Sequence, residues 1–305
     1  MNEITAKLLE MISSPYDKIK GAFNIREDGG CAGRQSTENI QIISKTDKPG
    51  IDIRIRPGTR GENVYIPACV THSDVDDLVY NDFYVGEDAD VTIIAGCGVH
   101  TDGEGEARHN GIHRFFLGKN SKVRYVEKHV GVGEGTGQRV INPVTDAFLE
   151  AGSYMEMDTT QIKGVDSTLR TTNASLEAGA RMVIREKLMT HGAQQAESDF
   201  RVTLKGDDSG VNLISRSVAR GTSKQVFRSR IIGAAPCTGH SACDAIIMDK
   251  GEVVAIPELT ASHVDAALIH EAAIGKIAGE QLTKLMSLGL TEAEAEAKII
   301  EGFLR

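Results

Sequence analysis

The stretch Leu149-Glu-Ala-Gly-Ser-Tyr-Met-Glu-Met-Asp158 returns 27 positions later as Leu176-Glu-Ala-Gly-Ala-Arg-Met-Val-Ile-Arg185. An earlier copy is Leu117-Gly-Lys-Asn-Ser-Lys-Val-Arg-Tyr-Val126, and Gly86-Glu-Asp-Ala-Asp-Val-Thr-Ile-Ile94 is a looser version. Each unit is a glycine- and alanine-bearing turn followed by a short strand. Because one unit is too small to bury its own apolar face, neighbouring units must stack.

Alternation of apolar and polar residues extends this pattern over much of the chain. Ile51-Asp-Ile53-Arg-Ile55 has the period of two that is typical of a strand with one buried face, and helical periodicity is almost missing between Ile40 and Leu259. We therefore predict a mainly β protein, a β-solenoid or parallel β-helix, with Leu149 and Leu176 in equivalent inward positions. A β-sandwich stays the alternative because its strands also recur at short intervals.

Tight hairpin turns distinguish these two folds, because they join the strands of a sandwich but not the parallel strands of a solenoid. Asp28-Gly29, Asp102-Gly103 and Asn110-Gly111 are dipeptides that could form two-residue hairpins, but none has alternating residues on both sides. We interpret all three as parts of loops. This interpretation favours the solenoid over the sandwich.

Helical periodicity appears at both ends of the chain. The predicted helices are Asn2–Ile12, Val264–Ile277, Leu282–Leu288 with Gly289 as its stop, and Glu292–Phe303 after a capping box of Thr291 and Glu294. The predicted organisation is an N-terminal helix and lead-in over 1–36, a β-helix core over 37–262 and a C-terminal helical segment over 263–305.

Charge and cysteine content limit the kinds of function. Lys and Arg total 34 against 43 Asp and Glu, a net charge of −9, so nucleic acid and membrane surfaces, which need a basic stripe, are not expected partners. Five widely spread cysteines fit no disulfide framework. The first residues form no signal peptide, and no apolar run approaches the ~20 residues of a membrane helix. These features predict a cytoplasmic protein.

Three segments resemble known motifs, but each differs from its motif at a required position. His270-Glu271 lacks the second histidine of a zinc protease, because Ile274 stands in its place. Gly111–Lys119 has the wrong glycine spacing for a phosphate loop, and Gly131–Thr136 ends in threonine where a dinucleotide motif has glycine. We therefore expect no nucleotide site in this chain.

Side chains with metal-binding chemistry concentrate between Cys237 and Ile277. Thiolate, imidazole and carboxylate bind transition metals, and Cys243 stands 28 positions before Glu271. On spacing alone, a buried structural Cys243 and a surface Glu271 explain the pattern better than a metal site, because no dense ligand motif is present. Cys237 and His240 are weaker candidates.

A second, looser group consists of Cys97, His100, His109 and His113. These residues lie in Gly-rich segments that we expect to form loops. Their spacing matches no closed zinc motif, so solvated turns are the favoured interpretation and a metal site is the alternative.

The last third of the chain holds a set of specific motifs. They are Ser215-Arg-Ser-Val-Ala-Arg-Gly-Thr-Ser223, Phe227-Arg-Ser-Arg-Ile-Ile-Gly233, Gly239-His-Ser-Ala-Cys-Asp244, Leu268-Ile-His-Glu-Ala-Ala-Ile-Gly-Lys-Ile277, Glu280-Gln-Leu282 and Gly289-Leu-Thr-Glu-Ala-Glu-Ala295. In this combination the chain resembles the SufB/SufD family, the β-helical scaffold proteins of the SUF system for iron–sulfur cluster assembly. The resemblance runs over most of the chain.

The resemblance implies a right-handed parallel β-helix flanked by helices, and pairing of chains through the β-helix. It also implies that SufC, an ABC-type ATPase, binds the C-terminal helices. The family builds its cluster at the cysteine of the Cys-Asp motif and the glutamate of the His-Glu motif, here Cys243 and Glu271. SufD-type members lack that cysteine, so this chain resembles the SufB type. His270 is expected either to replace the carboxylate as a ligand or to orient it.

The chain lacks the extended N-terminal region of longer members, which indicates a compact, archaeal-style homodimer. The expected role is an assembly scaffold rather than an enzyme, holding a transient iron–sulfur cluster for apo recipient proteins. Two other functions stay open. One is a purely structural subunit of an ABC-type complex, and the other is a β-helix carbohydrate-active enzyme, which would need paired carboxylates.

Overall fold

The structure, a computed structural model, describes residues 2–305 and consists mainly of strands. The helices are α1 (Glu3–Ile12), α2 (Gly279–Ser287) and α3 (Glu292–Phe303), with a 3₁₀ turn at Tyr16–Lys18. The strands are β1 (Ala22–Glu27), β2 (Gly30–Gln35), β3 (Ile40–Ser44), β4 (Gly50–Ile55), β5 (Arg60–Val70), β6 (Val75–Val85), β7 (Asp90–His100), β8 (Ala107–Leu117), β9 (Lys122–Val132), β10 (Arg139–Ile141), β11 (Val144–Leu149), β12 (Tyr154–Lys163), β13 (Ser167–Leu176), β14 (Arg181–Thr190), β15 (Gln195–Leu204), β16 (Ser209–Ala219), β17 (Lys224–Gly233), β18 (Cys237–Ile247), β19 (Glu252–Ala261) and β20 (Ala266–Gly275).

The strands form two long sheets that share one apolar core. The order in the first sheet is β2-β1-β5-β7-β9-β12-β14-β16-β18-β20, and in the second it is β19-β17-β15-β13-β10-β8-β6-β4-β3, with β11 beside β8 and β13. From β5 onward the pairings are parallel, and the chain winds between the sheets through about eight turns. The β-solenoid prediction is confirmed, and the antiparallel sandwich is excluded.

The repeated sequence units stack in register. Leu149 of β11 is paired with Leu176 of β13, and the same rung contains Leu117 and Leu204. All four side chains are buried in the core between the sheets. The predicted equivalence of Leu149 and Leu176 is therefore confirmed.

Hairpins, not parallel turns, close the N-terminal end. Asp28 and Gly29 have φ of 46° and 80° and form a two-residue turn between the antiparallel strands β1 and β2. β3 and β4 are also antiparallel, so the first strands of the predicted β-helix core over 37–262 do not have parallel pairing with each other. The interpretation of Asp28-Gly29 as a loop is wrong, because β2 is mostly exposed and shows no apolar alternation. Asn110-Gly111 lies inside β8 rather than in a loop.

Helix α1 lies on the outer face of the first sheet and confirms the predicted N-terminal helix. Oδ1 of Asn2 caps it by accepting a hydrogen bond from the N–H of Thr5 at 2.7 Å. A Cβ at Gly96 of β7 would lie 2.8 Å from atoms of Ile12, and a Cβ at Gly98 would lie 2.8 Å from Leu8. Both glycines therefore allow the helix to approach the sheet closely.

The strand β20 occupies the segment for which a helix is predicted at Val264–Ile277, so that prediction is wrong. The spacing of its apolar residues fits a helix, but parallel pairing with β18 satisfies the backbone groups on one side of Ala266–Gly275. Solenoid strands therefore continue past the predicted boundary at residue 262. Helix α2 before Gly289 and helix α3 with its Thr291–Glu294 capping box are confirmed.

Helix α3 folds back onto the outer face of the first sheet. Ile300 and Leu304 pack with Val218 of β16, and Arg220 lies 3.7 Å from Glu296 of the helix. The far end of the solenoid is left uncovered within residues 2–305. There β19 and β20 each pair with one neighbour in their sheet and are largely exposed.

Leu176→Ala should lower the free energy of unfolding by about 2–5 kcal/mol, because it leaves a cavity in a rung that neighbouring turns cannot refill. Leu169→Ala on the same strand is the matched control, since its side chain is 47% exposed and should cost no more than about 0.5 kcal/mol. Urea unfolding of the two variants measures both values. Equal losses for both would contradict the assigned inward and outward faces.

Candidate functional site

Cys243 lies on β18, which is the last strand of the first sheet to have a neighbour on each side. Its side chain belongs to the core between the sheets and is only 3% exposed. Along its rung Cys243 is paired with Ser215 of β16 and Ala272 of β20. The thiol therefore faces the interior of the solenoid, one strand from its open end.

His270 and Glu271 lie on the edge strand β20, not at the start of a helix as predicted. His270 is paired with Ser241, which is buried on the inward face like Cys243. Because successive side chains of a strand alternate between faces, Glu271 points outward, and 71% of its side chain is exposed. Cys243 and His270 thus share the inward face of neighbouring strands, whereas Glu271 stands on the opposite face.

Glu271 has an imidazole neighbour on the outer surface. Its Oε2 lies 3.8 Å from Nε2 of His240, and Nδ1 of His240 is 2.9 Å from Oδ1 of Asn212. His240 also lines a groove of about 450 Å³, together with Tyr154 and other residues of the outer face. The structure therefore groups His240 with Glu271 and separates both from the Cys243 thiol.

A buried carboxylate lies close to Cys243 on the inward face. Glu186 of β14 accepts hydrogen bonds from Ser198 at 2.6 Å and from Ser215, the rung neighbour of Cys243, at 2.7 Å. Burial, and then the negative charges of Glu186 and Asp244, raise the pKa of the Cys243 thiol to about 12. The thiol is therefore protonated at neutral pH, and a base or a metal ion is needed to form the thiolate.

Cys237 does not share this site. It begins β18 and faces inward like Cys243, but six strand residues span about 20 Å. Burial also raises the pKa of the Cys237 thiol. Cys237 is thus a buried cysteine at the start of the strand, whereas Cys243 lies near its middle.

The second group of candidates lies inside the N-terminal half of the solenoid. Cys97 on β7 and both His109 and His113 on β8 are buried and line one small cavity. His100 is not part of that lining, and its Nδ1 is 3.0 Å from the carbonyl oxygen of Thr71. The prediction that these residues lie on loops is wrong, because all of them belong to β7 or β8. Polar side chains occupy inward positions of these strands, so the alternation of apolar and polar residues that indicates a strand is hidden.

An ion pair that sequence analysis did not identify crosses the same core. Arg170 of β13 donates to Glu127 of β9 at 2.6 Å, and its Nε is 3.7 Å from Glu186. Burial alone would raise the pKa of the Glu127 carboxyl, but the charges of His129 and Arg170 outweigh burial and hold it well below its usual range. The one feature of the sequence that could have indicated this ion pair is a charged residue at an inward position of a strand in which apolar and polar residues alternate.

The proposed ligands are not assembled on one face of a single chain. Among residues 2–305, no group of three or more His, Cys, Asp and Glu side chains is arranged to hold a metal ion. This part of the chain also has no helix with the length and apolar character that a membrane span requires.

Comparison with known proteins identifies the family. The family model described as "SUF system FeS cluster assembly, SufBD core domain" matches residues 80–303 of this chain. The chain belongs to the SufBD family. The match confirms the resemblance seen in the sequence, and it includes Cys243, His270, Glu271 and both C-terminal helices of this SufBD protein.

Individual relatives agree with this assignment. An iron–sulfur cluster assembly SufBD family protein of Archaeoglobus fulgidus is 31% identical over 294 residues, which are 95% of this chain and 76% of that protein. A SufBD family protein of Methanothermobacter thermautotrophicus is 30% identical over 262 residues, 84% of this chain and 62% of the relative. A chloroplastic SufBD family protein of Arabidopsis thaliana is 26% identical over 206 residues, 65% of this chain and 37% of the relative. This SufBD chain thus spans only part of these relatives.

The alkylation rate of Cys243 by iodoacetamide should keep rising about tenfold per pH unit up to pH 10, because its thiolate fraction grows until the pH nears 12. A free thiol with a pKa of about 8.5 levels off earlier. Glu186→Gln should lower the pKa of Cys243 and speed its alkylation, while Glu197→Gln on the outer face should leave it unchanged. Mass spectrometry of the Cys243 peptide measures these rates. A Cys243 rate that levels off near pH 9 would contradict the assigned environment.

Proposed function

We propose that this SufBD chain is a scaffold on which an iron–sulfur cluster is built before transfer to apo recipient proteins. The observation that carries the proposal is the location of Cys243 and His270 on the inward face of the last two strands of the first sheet. Within residues 2–305, β20 has a partner strand on one side only. This end of the core is therefore accessible to a cargo and to a second protein. Membership of the SufBD family indicates that the process is iron–sulfur cluster assembly.

Cys243, His270 and Glu271 offer the cluster three different donor atoms. Thiolate sulfur is the usual ligand of iron–sulfur clusters. Burial keeps the Cys243 thiol protonated by raising its pKa, and iron that binds the sulfur displaces this proton. Imidazole and carboxylate are harder ligands than thiolate, which suits a cluster that must leave again. Because Glu271 and Cys243 face opposite sides of the sheet, Glu271 joins the site when the edge strand twists or when a second chain contributes its own Glu271.

The dimer of this scaffold forms, in our proposal, through β20. An edge strand presents unpaired N–H and C=O groups, and Ile269 and Ile274 leave apolar side chains exposed beside them. The edge strand of the second sheet at this end, β19, contains Pro257, which has no N–H to donate and makes that strand a poorer partner. Across a two-fold axis, two copies each of Cys243 and Glu271 supply the four ligands that a cluster needs.

The C-terminal helices are the docking surface that we propose for an ABC-type ATPase of the SufC kind. Helix α3 already uses Ile300 and Leu304 to pack against its own solenoid. In α2 and the residue that follows it, Met286 is 44% exposed and Leu288 is 72% exposed. Large apolar side chains beside each other on a surface are typical of a protein contact, so α2 is the element most available to a partner.

Cys243→Ser should abolish cluster assembly while the fold survives, because a hard, protonated hydroxyl replaces a soft thiolate. Anaerobic reconstitution with iron and sulfide, followed by absorption spectra and analysis of both elements, measures the bound cluster. Cys237→Ser, which changes a buried cysteine of the same strand, is the matched control and should assemble a cluster normally. Glu271→Ala should weaken retention of the cluster less severely than Cys243→Ser.

Two outcomes would count against this assignment. A Cys243→Ser protein with a full complement of iron and sulfide would remove Cys243 from the site. A folded wild-type protein that takes up neither element would instead favour a purely structural subunit of an ABC-type complex.

Leu288→Glu should weaken binding of the ATPase at least about tenfold, because a desolvated charge would replace an apolar contact. Deletion of Thr291–Arg305 should also abolish co-purification, but it additionally removes the packing of α3 on the solenoid. Val264→Glu is the control, since Val264 is an exposed apolar residue outside the helices. Calorimetric titration with the ATPase measures all three variants. Wild-type affinity in Leu288→Glu would place the docking surface elsewhere.

A further inference from the structure

Gly111 leaves a small space between two imidazole rings inside the solenoid. It lies on the inward face of β8, between His109 and His113. A Cβ at Gly111 would be 3.2 Å from Nε2 of His109 and 3.3 Å from Nε2 of His113. The Nε2 atoms of both rings therefore face the same space.

Hydrogen bonds at the opposite nitrogens set the tautomer of each ring. Nδ1 of His109 is 3.0 Å from Oδ2 of Asp77, and a carboxylate can only accept. Nδ1 of His113 is 2.8 Å from the hydroxyl oxygen of Tyr125, whose own proton is donated to Glu127 at 2.8 Å. Nδ1 therefore donates a proton in both rings, and Nε2 is the nitrogen of each ring that is left to bind a ligand.

The cavity beside these rings contains further electron-pair donors and little space. Its volume of about 10 Å³ accommodates one water-sized particle. Nδ2 of the buried Asn81 makes a long contact of 3.3 Å with Nε2 of His113, while Oδ1 of Asn81 has no hydrogen-bond partner among the described residues. The thiol of Cys97 lines the same wall. Arg26 also lines the cavity, but its guanidinium is paired with Asp77 at 2.6 Å. The unpartnered Oδ1 of Asn81 beside two ring nitrogens therefore points to a positively charged ligand.

We propose that this cavity binds one divalent transition-metal ion through Nε2 of His109 and Nε2 of His113. Neutral imidazole is a good ligand for Fe²⁺, Co²⁺, Ni²⁺ and Zn²⁺. An acceptor hydrogen-bonded to the opposite nitrogen is the arrangement that orients metal-binding histidines, and Asp77 and Tyr125 provide it here. Binding requires the amide of Asn81 to turn away from Nε2 of His113, after which Oδ1 of Asn81 and water complete the coordination.

The distances show what binding must change. A metal ion near the Cβ position of Gly111 needs metal–nitrogen distances of about 2.0–2.1 Å, so each ring has to approach by about 1 Å. Without a metal the two rings are too far apart to bind one ion, which is consistent with the finding that residues 2–305 contain no group of three or more His, Cys, Asp and Glu arranged as metal ligands. This site is separate from Cys243, which lies at the other end of the solenoid, and its occupation does not depend on cluster assembly.

Binding of Co²⁺ by the full-length protein tests the proposal, with Cys243→Ser as the background so that the cluster site cannot contribute. We expect one tightly bound Co²⁺ per chain, with visible absorption of a nitrogen-ligated ion, and a higher midpoint of thermal unfolding when Co²⁺ is present. Adding Gly111→Ala should abolish binding, because the new methyl group occupies the space while both imidazoles stay. Adding His113→Gln should abolish it by removing one ligand.

His100→Gln is the matched control, because His100 lies outside the cavity and should not affect the bound Co²⁺. Thermal unfolding without metal establishes that each variant is folded, and His113→Gln decides the result if Gly111→Ala does not fold. Equal amounts of Co²⁺ in the background protein and in the folded His113→Gln variant would overturn the proposal. A background protein that binds no Co²⁺ would overturn it as well.

Discussion

The parallel hydrogen-bond ladder between successive turns is the interaction on which the rest of this structure depends. Each internal turn pairs with the turn before it and the turn after it, so residues such as Leu117, Leu149 and Leu176 must stack in one rung. Only the terminal turns lack a neighbour. At the N-terminal end, antiparallel hairpins complete the sheets. At the other end the ladder stops at β19 and β20, and His270 and Glu271 stand on that last strand.

The same ladder explains why the interior tolerates charge. Side chains that face inward on adjacent turns are held within reach of one another, so Glu127 and Arg170 neutralise each other, and hydroxyl groups of two serines satisfy Glu186. Both proposed sites are places where this internal pairing is incomplete. Cys243 has a buried protonated thiol beside the open end, and in the cavity beside Gly111 the buried Oδ1 of Asn81 has no hydrogen-bond partner among the described residues. We therefore expect ligand binding at places inside the solenoid where buried polar groups lack hydrogen-bond or ionic partners.

Sequence patterns predicted most of this fold because its signal is local and repeated. The period of two and the recurring turns indicated the solenoid, and capping residues located α3 correctly. The helix prediction at Val264–Ile277 failed because pairing with β18, a contact distant in sequence, decides the conformation of β20. His109 and His113 were assigned to loops because their inward side chains are polar. Motifs located Cys243, His270 and Glu271, but not the opposite faces of the sheet on which Cys243 and Glu271 lie, since that depends on strand register.

We propose that iron and sulfide are assembled at the end of the solenoid, at β18 and β20. The most direct measurement is X-ray diffraction from crystals of the anaerobically reconstituted protein, recorded on both sides of the iron absorption edge. We predict an anomalous signal from iron bonded to Sγ of Cys243, between the last strands of the first sheet and those of a second copy of the chain. An iron signal located elsewhere, with Sγ of Cys243 free of metal and β20 unpaired, would contradict it.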